Sequence, residues 1–342
     1  MLTRRNALVA GGIAACATPF GTRVTFGSTK RVLQVMSNAN VAGIHVPGNV
    51  ACREILQQIG DYAPIDLTRM EKQANITQVL VGGGPDIVDA DTPSVAAAVN
   101  AGADLKIVGQ FYASVDLVFA ADADKVTNLQ DLTKPDVVVG INTPGDTVHA
   151  ELLGVLMKYG IDITKVNIVA LGGSSARMRA LLAHRVHLVP IHADQAGSIA
   201  KEGNYQVLIQ PWKEYDFWSN EVWAVNGKWL QDPTNQRVVV DVMEAQLRAN
   251  RSATTDFPWF AGMFRKYSND RDAAHWPDDR INGEWTLLAQ EIKAWPQPMP
   301  LDLAAFNTLI PIYQKAGIVS DGASFDKIIE PRYLAEAQSR LG

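Results

Sequence analysis

The stretch that decides the fold is VVVGINTPGDTVHAELLGVLMKYG, residues 137–160. A short run of β-branched and small residues leads into the turn Thr-Pro-Gly-Asp-Thr, and apolar side chains then recur at helical spacing. Strand, turn and helix in this order predict one unit of a parallel sheet. Because the start of a helix offers free N–H groups and a partial positive charge, the turn predicts a position for an anionic group.

The same rhythm extends to both sides of this stretch. Short β-rich runs alternate with helical segments from about residue 31, and the rhythm restarts after SVDLVFAAD, residues 114–122. The segment NEVWAVN, residues 220–226, predicts a strand that returns to the first unit. The tail beyond residue 233 predicts helices that pack back on this unit. It carries four tryptophans expected to pack in the core, namely Trp259, Trp276, Trp285 and Trp295.

Composition excludes several classes of protein. The 342 residues allow two or three domains, and 47% hydrophobic residues are enough for ordinary cores. A formal charge of -5 without a Lys/Arg run argues against nucleic-acid binding. No cofactor is expected, because VGGGPD, residues 81–86, lacks the Gly-Lys-Ser/Thr of a phosphate loop.

The first residues, MLTRRNALVAGGIAACATPFG, have the pattern of an export signal. Arg4 and Arg5 precede a short apolar region, and Ala-Cys-Ala at residues 15–17 predicts cleavage near residue 17. The paired arginines indicate the twin-arginine route, the general secretory route stays open, and Cys16 could instead carry a lipid. The mature protein is then periplasmic with Cys52 as its one cysteine, which helical spacing predicts to be a buried structural thiol.

Three blocks resemble the periplasmic substrate-binding proteins of nitrate, sulfonate and taurine ABC importers, a family that includes binders of thiamine-pyrimidine precursors. The blocks are DIVDADTPSVAAAVNAGADLKIVG (86–109), NLQDLTKPDVVVGINTPGDTVHAELLGVLMKYGID (128–162) and GSSARMRALLAHRVHLVPIHADQAGSI (173–199). They follow in the order and spacing of that family, and the resemblance covers roughly residues 30–225.

The resemblance implies a two-lobed α/β fold of the type II periplasmic-binding-protein kind, with parallel or mixed sheets, helices on both faces and a helical C-terminal tail. Residues 30–120 with 221–342 would form lobe 1, and residues 121–220 lobe 2. Two hinge strands would cross near residues 116–121 and 221–225. The cleft would close on a small organic anion, a sulfonate or a carboxylate, aromatic ones included.

The resemblance also implies the partners. The protein would be a monomer that delivers its solute to an ABC permease with a cytoplasmic ATPase. It would touch the membrane only through that permease or through a lipid on Cys16. A sensor subunit that presents its ligand to a signalling partner stays an alternative.

Ligands of open parallel sheets bind beyond the carboxyl ends of the strands. Hydroxyls, amides and helix starts there could donate to an anion, aromatic rings could stack on it, and an imidazole could donate to a carboxylate. Capping of the helices by Asp146, Thr147 or Thr92 stays an alternative. The candidate residues are Asn38, Asn40, Thr92, Ser94, Phe111, Tyr112, Thr143, Gly145, Asp146, Thr147, Ser174, Ser175, His192, Asp194, Trp218 and Glu221.

An enzyme is the competing class. ALGGSSARM, residues 170–178, nearly matches the nucleophile elbow, with Ser174 as nucleophile and a base such as His275, but an alanine replaces the last glycine. A pyrimidine-forming enzyme of related fold is a second possibility. HRVHLVPIH, residues 184–192, suggests a metal, but His187 and His192 fall on opposite strand faces, so no metal site is predicted.

Overall fold

The structure is a computed structural model that describes residues 30–342 except residues 40, 71–72, 200 and 300. The predicted signal segment, with Cys16, lies outside the described residues. The described chain forms two five-stranded sheets. The strands are β1 (Val35–Asn38), β2 (Thr68–Met70), β3 (Ile87–Asp91), β4 (Leu105–Tyr112), β5 (Leu117–Asp122), β6 (Val138–Ile141), β7 (Asn167–Ala170), β8 (Leu188–His192), β9 (Tyr205–Ile209) and β10 (Glu221–Asn226).

Helices cover both sheets and form the tail. Short 3₁₀ turns lie between several of them, and wider turns at Ala51–Ile55 and Leu287–Glu291 continue two of the helices. The α-helices are α1 (Val46–Val50), α2 (Leu56–Ile59), α3 (Gln73–Val81), α4 (Thr92–Asn100), α5 (Thr147–Lys158), α6 (Ser174–Leu182), α7 (Ala193–Ile199), α8 (Pro233–Thr255), α9 (Phe257–Tyr267), α10 (Asp278–Thr286), α11 (Leu303–Asn307), α12 (Ile310–Lys315) and α13 (Arg332–Leu341).

Both sheets are mixed in the same way. The strand order is β2-β1-β3-β10-β4 in the first sheet and β7-β6-β8-β5-β9 in the second. In the first, β10 runs antiparallel to β3 and β4, while β1 runs parallel to its neighbours. In the second, β5 runs antiparallel to β8 and β9. The predicted two-lobed α/β fold with mixed sheets is confirmed.

Two segments link the sheets. Residues 113–116 join the end of β4 to the start of β5, and residues 210–220 join β9 to β10. The sequence predicts crossings near 116–121 and 221–225, whereas residues 117–121 and 221–225 belong to β5 and β10, each of which pairs within one sheet. The crossings therefore lie at the N-terminal ends of these strands, because the ladder hydrogen bonds hold each strand in its own lobe.

The first lobe has its core between the first sheet and the long helices of the tail. Trp276 and Trp295 are buried in this core, and Trp259 and Trp285 pack against it while partly buried, as predicted. Cys52 is also buried, and burial raises the pKa of its thiol to about 12, so it is the expected structural thiol. No helix in the described ranges has the length and apolar character that crossing a bilayer requires.

The tail packs on both lobes rather than on the first alone. Helices α8 and α13 lie against each other beside the first sheet, but α12 packs against α5 of the second unit. Phe306 and Tyr313, both fully buried, join a core cluster that also contains Val148 and Leu152 of α5. The sequence-based expectation fails here because α12 meets α5 and the two rings belong to the same core cluster as the apolar face of α5.

Candidate functional site

The carboxyl ends of the parallel strands bring the two sheets face to face. In the first sheet Asp91 and Tyr112 end their strands, and both pair with Glu221 at the start of β10. In the second sheet His192 ends β8 opposite Leu117, the first residue of β5. Because only residues 113–116 separate the end of β4 from the start of β5, the two edges are neighbours. The cleft of this fold lies between them.

A small cavity marks this cleft. It lies where the start of the first lobe, the linker, α7 and the tail come together. The residues that line it are Ala42, Gly43, Ile44, Asp116, Ala193, Glu284, Leu287 and Leu288.

A buried imidazole contacts a carboxyl in the first lobe. His45 Nε2 lies 3.4 Å from Glu221 Oε2, and the amide of Asn38 donates to Glu221 Oε1 at 3.5 Å. Burial by itself would lower the pKa of His45, but Glu221, Asp89 and Asp116 outweigh it and raise the pKa above its ordinary value. The carboxyls therefore favour the protonated imidazole at this edge.

Asp89 lies beneath this pair. It accepts the Ser37 hydroxyl at 2.5 Å and the Asn38 N–H at 3.2 Å. Burial and the nearby Glu221 nevertheless raise the pKa of Asp89 to about 8, because these hydrogen bonds offset only part of the desolvation.

A second imidazole–carboxyl pair lies on the other edge. His192 Nδ1 is 2.8 Å from Asp116 Oδ2, and the N–H of Ala193 donates to the Asp116 carbonyl at 2.7 Å. Burial would raise the pKa of Asp116, but the charge and hydrogen bond of His192 outweigh it and lower the pKa. The charge of Asp116 also adds to the rise in the pKa of His45.

The start of α4 contains a carboxyl that does not cap it. Asp91 precedes the helix and is 1% exposed, yet neither carboxyl oxygen has a hydrogen-bond partner of ordinary geometry among the described residues. Burial raises the pKa of Asp91 to about 7; weak hydrogen bonding from the hydroxyl and the N–H of Ser94 lowers it in part, while Asp146 and Glu221 add to the rise. The next residue, Thr92, bonds to the linker through Ser219 Oγ at 3.0 Å.

The turn that opens α5 is filled by the chain itself. Asp146 caps the helix, accepting the N–H groups of His149 at 2.9 Å and Thr143 at 3.1 Å. The N–H of Gly145 donates to His149 Nδ1 at 3.0 Å. Burial raises the pKa of Asp146 to about 6. These three N–H groups already have acceptors within the chain, so they do not donate to an anion in this geometry. The turn caps the helix, as the alternative to an anion site predicts.

Glu151, one turn further into α5, is fully buried, and neither of its carboxyl oxygens has a partner in the described part of the chain. Burial raises its pKa well above the ordinary value, and Asp116 and Asp146 add to the rise. Arg177 acts in the opposite direction, but its Nε and Nη1 donate to the carbonyls of Pro190 and Gly172, both at 2.6 Å.

Several predicted site residues meet at the two edges. They come from the ends of β1, β4 and β8, the starts of α4 and α5, and the start of β10. These residues are Asn38, Thr92, Ser94, Tyr112, Gly145, Asp146, Thr147, His192 and Glu221.

Other predicted residues lie elsewhere or have other partners. Phe111 is buried in the first core with its ring 4.9 Å from that of Trp223, and Trp218 is buried with its ring 4.7 Å from that of Tyr215. Packing, rather than stacking on a solute, accounts for both rings. Thr143 and Ser175 are exposed on the second unit. Asn40 and the side chain of Asp194 lie outside the described residues.

For the hydrolase alternative, the hydrogen bonds of Ser174 in the described part of the chain join it to a side-chain amide and a backbone N–H, not to the side chain of a base. The Ser174 hydroxyl donates to Gln195 Oε1 at 2.6 Å and accepts the N–H of His192 at 3.3 Å. No set of three His, Cys, Asp or Glu side chains in the described ranges is arranged to hold a metal ion.

Sequence reasoning missed the buried charged groups His45, Asp89, Asp91, Asp116 and Glu151. Two signals were present. In DIVDAD the last two aspartates are two residues apart in an apolar strand, so they share one face. In VHAELLGVL a lone glutamate lies among the apolar positions of a helix.

Comparison with known proteins assigns the family. The chain belongs to the NMT1/THI5-like family, whose model matches residues 64–256. A search of curated proteins found no match.

Solved structures of similar fold are remote in sequence. The alkanesulfonate-binding protein SsuA from Xanthomonas axonopodis pv. citri, bound to MOPS, is 15% identical over 88% of this chain and 98% of its own, with a TM-score of 0.68. The periplasmic nitrate-binding protein NrtA from Synechocystis PCC 6803 is 11% identical over 91% and 89%, with a TM-score of 0.68. A ligand-binding component of an ABC-type import system from Staphylococcus aureus, with zinc bound, is 13% identical over 90% and 99%, with a TM-score of 0.70. These likenesses show the fold.

Proposed function

We propose that the protein is the extracytoplasmic solute-binding subunit of an ABC importer. It captures a small solute between its lobes by hinge closure and delivers it to a permease with a cytoplasmic ATPase. The observation that carries this proposal is the meeting of two strand edges, one from each lobe, whose buried polar groups face a shared cleft across the two linkers. Folds of this kind close about such linkers.

The charge of the solute is a more specific part of the proposal. The sequence indicates an organic anion, a sulfonate or a carboxylate, and proteins of similar fold include binders of sulfonate and nitrate. Against this, the starts of α4 and α5 carry Asp91 and Asp146, and Asp89 and Glu151 are buried nearby. The test of function must therefore include solutes of both signs.

Thermal melting and small-angle X-ray scattering test the function together. We expect one class of small solute to raise the melting temperature and reduce the radius of gyration. Solute at a hundred times its Kd should add about 2.7 kcal/mol to the free energy of unfolding. In vesicles, the liganded protein should stimulate the ATPase of its cognate permease. A solute that binds without closing the lobes or stimulating that ATPase would contradict the proposal.

We propose further that the protein binds its solute without chemical turnover, as a monomer, after export to the periplasm. The bond from Ser174 to Gln195 supports the absence of a hydrolytic pair. Ester hydrolysis by the purified protein that Ser174→Ala abolishes would contradict this. N-terminal sequencing of the exported protein, expected to begin near Cys16 or Thr18, tests the signal segment.

A further inference from the structure

One segment of the tail reaches from the first lobe to the second. Residues 303–319, which contain α11 and α12, form this segment, the strap. Before the strap the chain is fixed in the first lobe. There Trp295 Nε1 donates to the Ile44 carbonyl, and the Thr254 hydroxyl donates to the Trp295 carbonyl, both at 3.1 Å. The strap therefore starts from a point held in the first lobe.

After the strap the chain returns to the first lobe. The N–H and the hydroxyl of Ser320 donate to Asn100 Oδ1, at the end of α4, at 3.3 Å and 2.9 Å. Further on, the N–H of Ile107 in β4 donates to the Ile328 carbonyl at 2.8 Å, and the N–H of Glu330 donates to the Ile107 carbonyl at 2.9 Å. Both ends of the strap thus belong to the first lobe.

The middle of the strap lies against the second linker and the second lobe. The Phe306 ring is 5.1 Å from that of Phe217, which belongs to linker residues 210–220. Helix α12 packs against α5, and a Cβ built at Gly154 of α5 would come within 2.9 Å of Ile312 Cδ1. The absence of a side chain at Gly154 lets the two helices approach closely. The strap is therefore a third connection between the lobes, in addition to the two linkers.

The contacts on the two sides of the strap differ in kind. Hydrogen bonds fix its ends to the first lobe, whereas no hydrogen bond within the described chain joins residues 303–319 to the second lobe. Phe306 and Tyr313 instead share an apolar cluster with Val148 and Leu152 of α5. Apolar attraction is non-directional and depends on the area removed from water, so it holds the second lobe only while the surfaces stay together.

The lobes lie close together in this structure. The cavity between them is lined by Gly43 and Leu287 on the first lobe and by Ala193 on the second, among others. Its volume is about 10 Å³, enough for about one water molecule. The contacts of the strap with α5 therefore belong to a closed arrangement of the lobes.

We propose that the strap holds the second lobe against the first in the unliganded protein and so biases the lobes toward closure. This inference rests on the hinge closure of the proposed function. When the lobes open, α5 moves with the second lobe while the strap stays with the first. Opening therefore brings water onto the Ile312 side chain and the facing part of α5, which is unfavourable.

A bias toward closure strengthens solute binding. A solute that binds only the closed arrangement has an apparent Kd equal to its intrinsic Kd divided by the fraction of closed molecules. The strap raises that fraction through contacts remote from the solute. Weakening the strap should therefore raise the apparent Kd by the factor by which the closed fraction falls.

Pulsed electron paramagnetic resonance on the mature protein beginning at Thr18, without solute, tests the inference. Spin labels are attached to Lys201→Cys, just beyond α7, and to Asp279→Cys, near the start of α10, which are exposed positions on different lobes. Cys52 is buried and should not take the label. In the otherwise wild-type protein, we expect most label pairs at the distance that the structure gives for these two positions.

Two variants weaken the strap, and a third is their control. Ile312→Ala removes the side-chain atoms that reach α5 and should lower the ratio of closed to open molecules about 5- to 30-fold. Ile312→Glu, which places a charge in this apolar contact, should lower it further. The matched control is Ile329→Ala, since Ile329 is also a partly buried tail isoleucine but lies beside Ile107 of the first lobe. The control should keep the wild-type distances.

Three results would overturn the inference. They are a wild-type protein that is mostly open, a closed protein that stays closed with both Ile312 variants, and equal opening by Ile329→Ala. Melting curves verify that each variant is folded, and Ile312→Ala decides if the glutamate variant does not fold. Because no solute is used, opening by the Ile312 variants alone would support the strap even if ATPase stimulation failed and contradicted the proposed function.

Discussion

The starts of α4 and α5 form a natural comparison, because an aspartate precedes each helix. Asp146 caps α5 and accepts two backbone N–H groups, while Asp91 precedes α4, is buried and makes no cap hydrogen bond of ordinary geometry, although Ser94 lowers its pKa in part. Both helices thus have aspartate as the N-cap residue, but only the aspartate of α5 accepts cap hydrogen bonds of ordinary geometry from its own helix. The difference separates an aspartate that caps its helix with ordinary hydrogen bonds from a buried one that does not.

The first prediction concerns how the stability of the protein depends on pH. It has the largest expected effect and tests the difference between Asp91 and Asp146. Burial raises the pKa of Asp91 to about 7 and that of Asp89 to about 8. The folded protein then binds more protons than the unfolded chain above the ordinary carboxyl pKa. The stabilisation is complete below that pKa and is lost as the pH rises through the raised values. Between the ordinary and the raised pKa, each such group should lower the free energy of unfolding by about 1.4 kcal/mol per pH unit.

Urea unfolding of the unliganded protein from about pH 4 to pH 8 measures this slope. His45, whose pKa is also raised, adds a loss of the same sign, whereas Asp116, whose pKa is lowered, loses stabilisation only at acidic pH. Asp91→Asn should reduce the slope. Stability that rises across the interval, or a slope that the variant keeps in full, would show that Asp91 is ionised in the unliganded protein.

A second prediction concerns the turn before α5. Gly145 has φ of 85°, and a Cβ built there would meet only Ile318 at 3.8 Å, so the strain of a substitution comes from the backbone. Gly145→Ala should lower the free energy of unfolding by about 1–2 kcal/mol. Gly173, before α6, has φ of -59° and open space around a Cβ, so Gly173→Ala serves as the control and should change little. Equal effects of both variants would contradict the strain.

The third prediction compares the two aspartates directly. Asp146→Ala removes a helix cap and should lower the free energy of unfolding by about 1 kcal/mol. Asp91→Ala removes a carboxyl that makes no cap hydrogen bond of ordinary geometry among the described residues, so at neutral pH it should cost less. Chemical unfolding of both variants without solute measures the difference. If Asp91→Ala proved the more costly, the two helix starts would not differ as described.

The smallest effect is expected at Thr147. Its hydroxyl is buried and lacks a hydrogen-bond partner within the described ranges. Thr147→Val should therefore leave the melting temperature of the unliganded protein unchanged or raise it slightly. The corresponding gain in the free energy of unfolding should be less than about 1 kcal/mol. A lower melting temperature would indicate that this hydroxyl caps the helix. A loss of affinity for a sulfonate in the same variant would support the anionic solute and count against a cation.

Much of the fold could be predicted from the sequence because its signals are local. The β-rich run DIVDAD and the helical spacing after residue 147 predicted β3 and α5 correctly. The strand β9 was missed because Tyr205–Ile209 is a partly exposed edge strand with little apolar alternation. The docking of α12 on α5 was missed because it depends on a contact between residues far apart in the chain.

The candidate site was predictable only as a set of loops. Strand ends made Asn38, Tyr112, His192 and Glu221 candidates; the structure places Asn38 and Tyr112 beside Glu221 in the first sheet and His192 at the end of β8 in the second. Phe111 could not be distinguished from a stacking residue, because its burial against Trp223 follows from the assembly of the first core.

The sequence by itself determined the order of strands and helices, the family blocks, and the presence of an aspartate before α4 and α5, because each of these depends on residues close together in the chain. Only the tertiary structure decided that Asp146 caps its helix and that the Glu151 carboxyl and the Tyr313 hydroxyl lack hydrogen-bond partners in the described part of the chain. Burial removes water from all of them, and whether a partner replaces that water depends on elements that meet only in the folded chain.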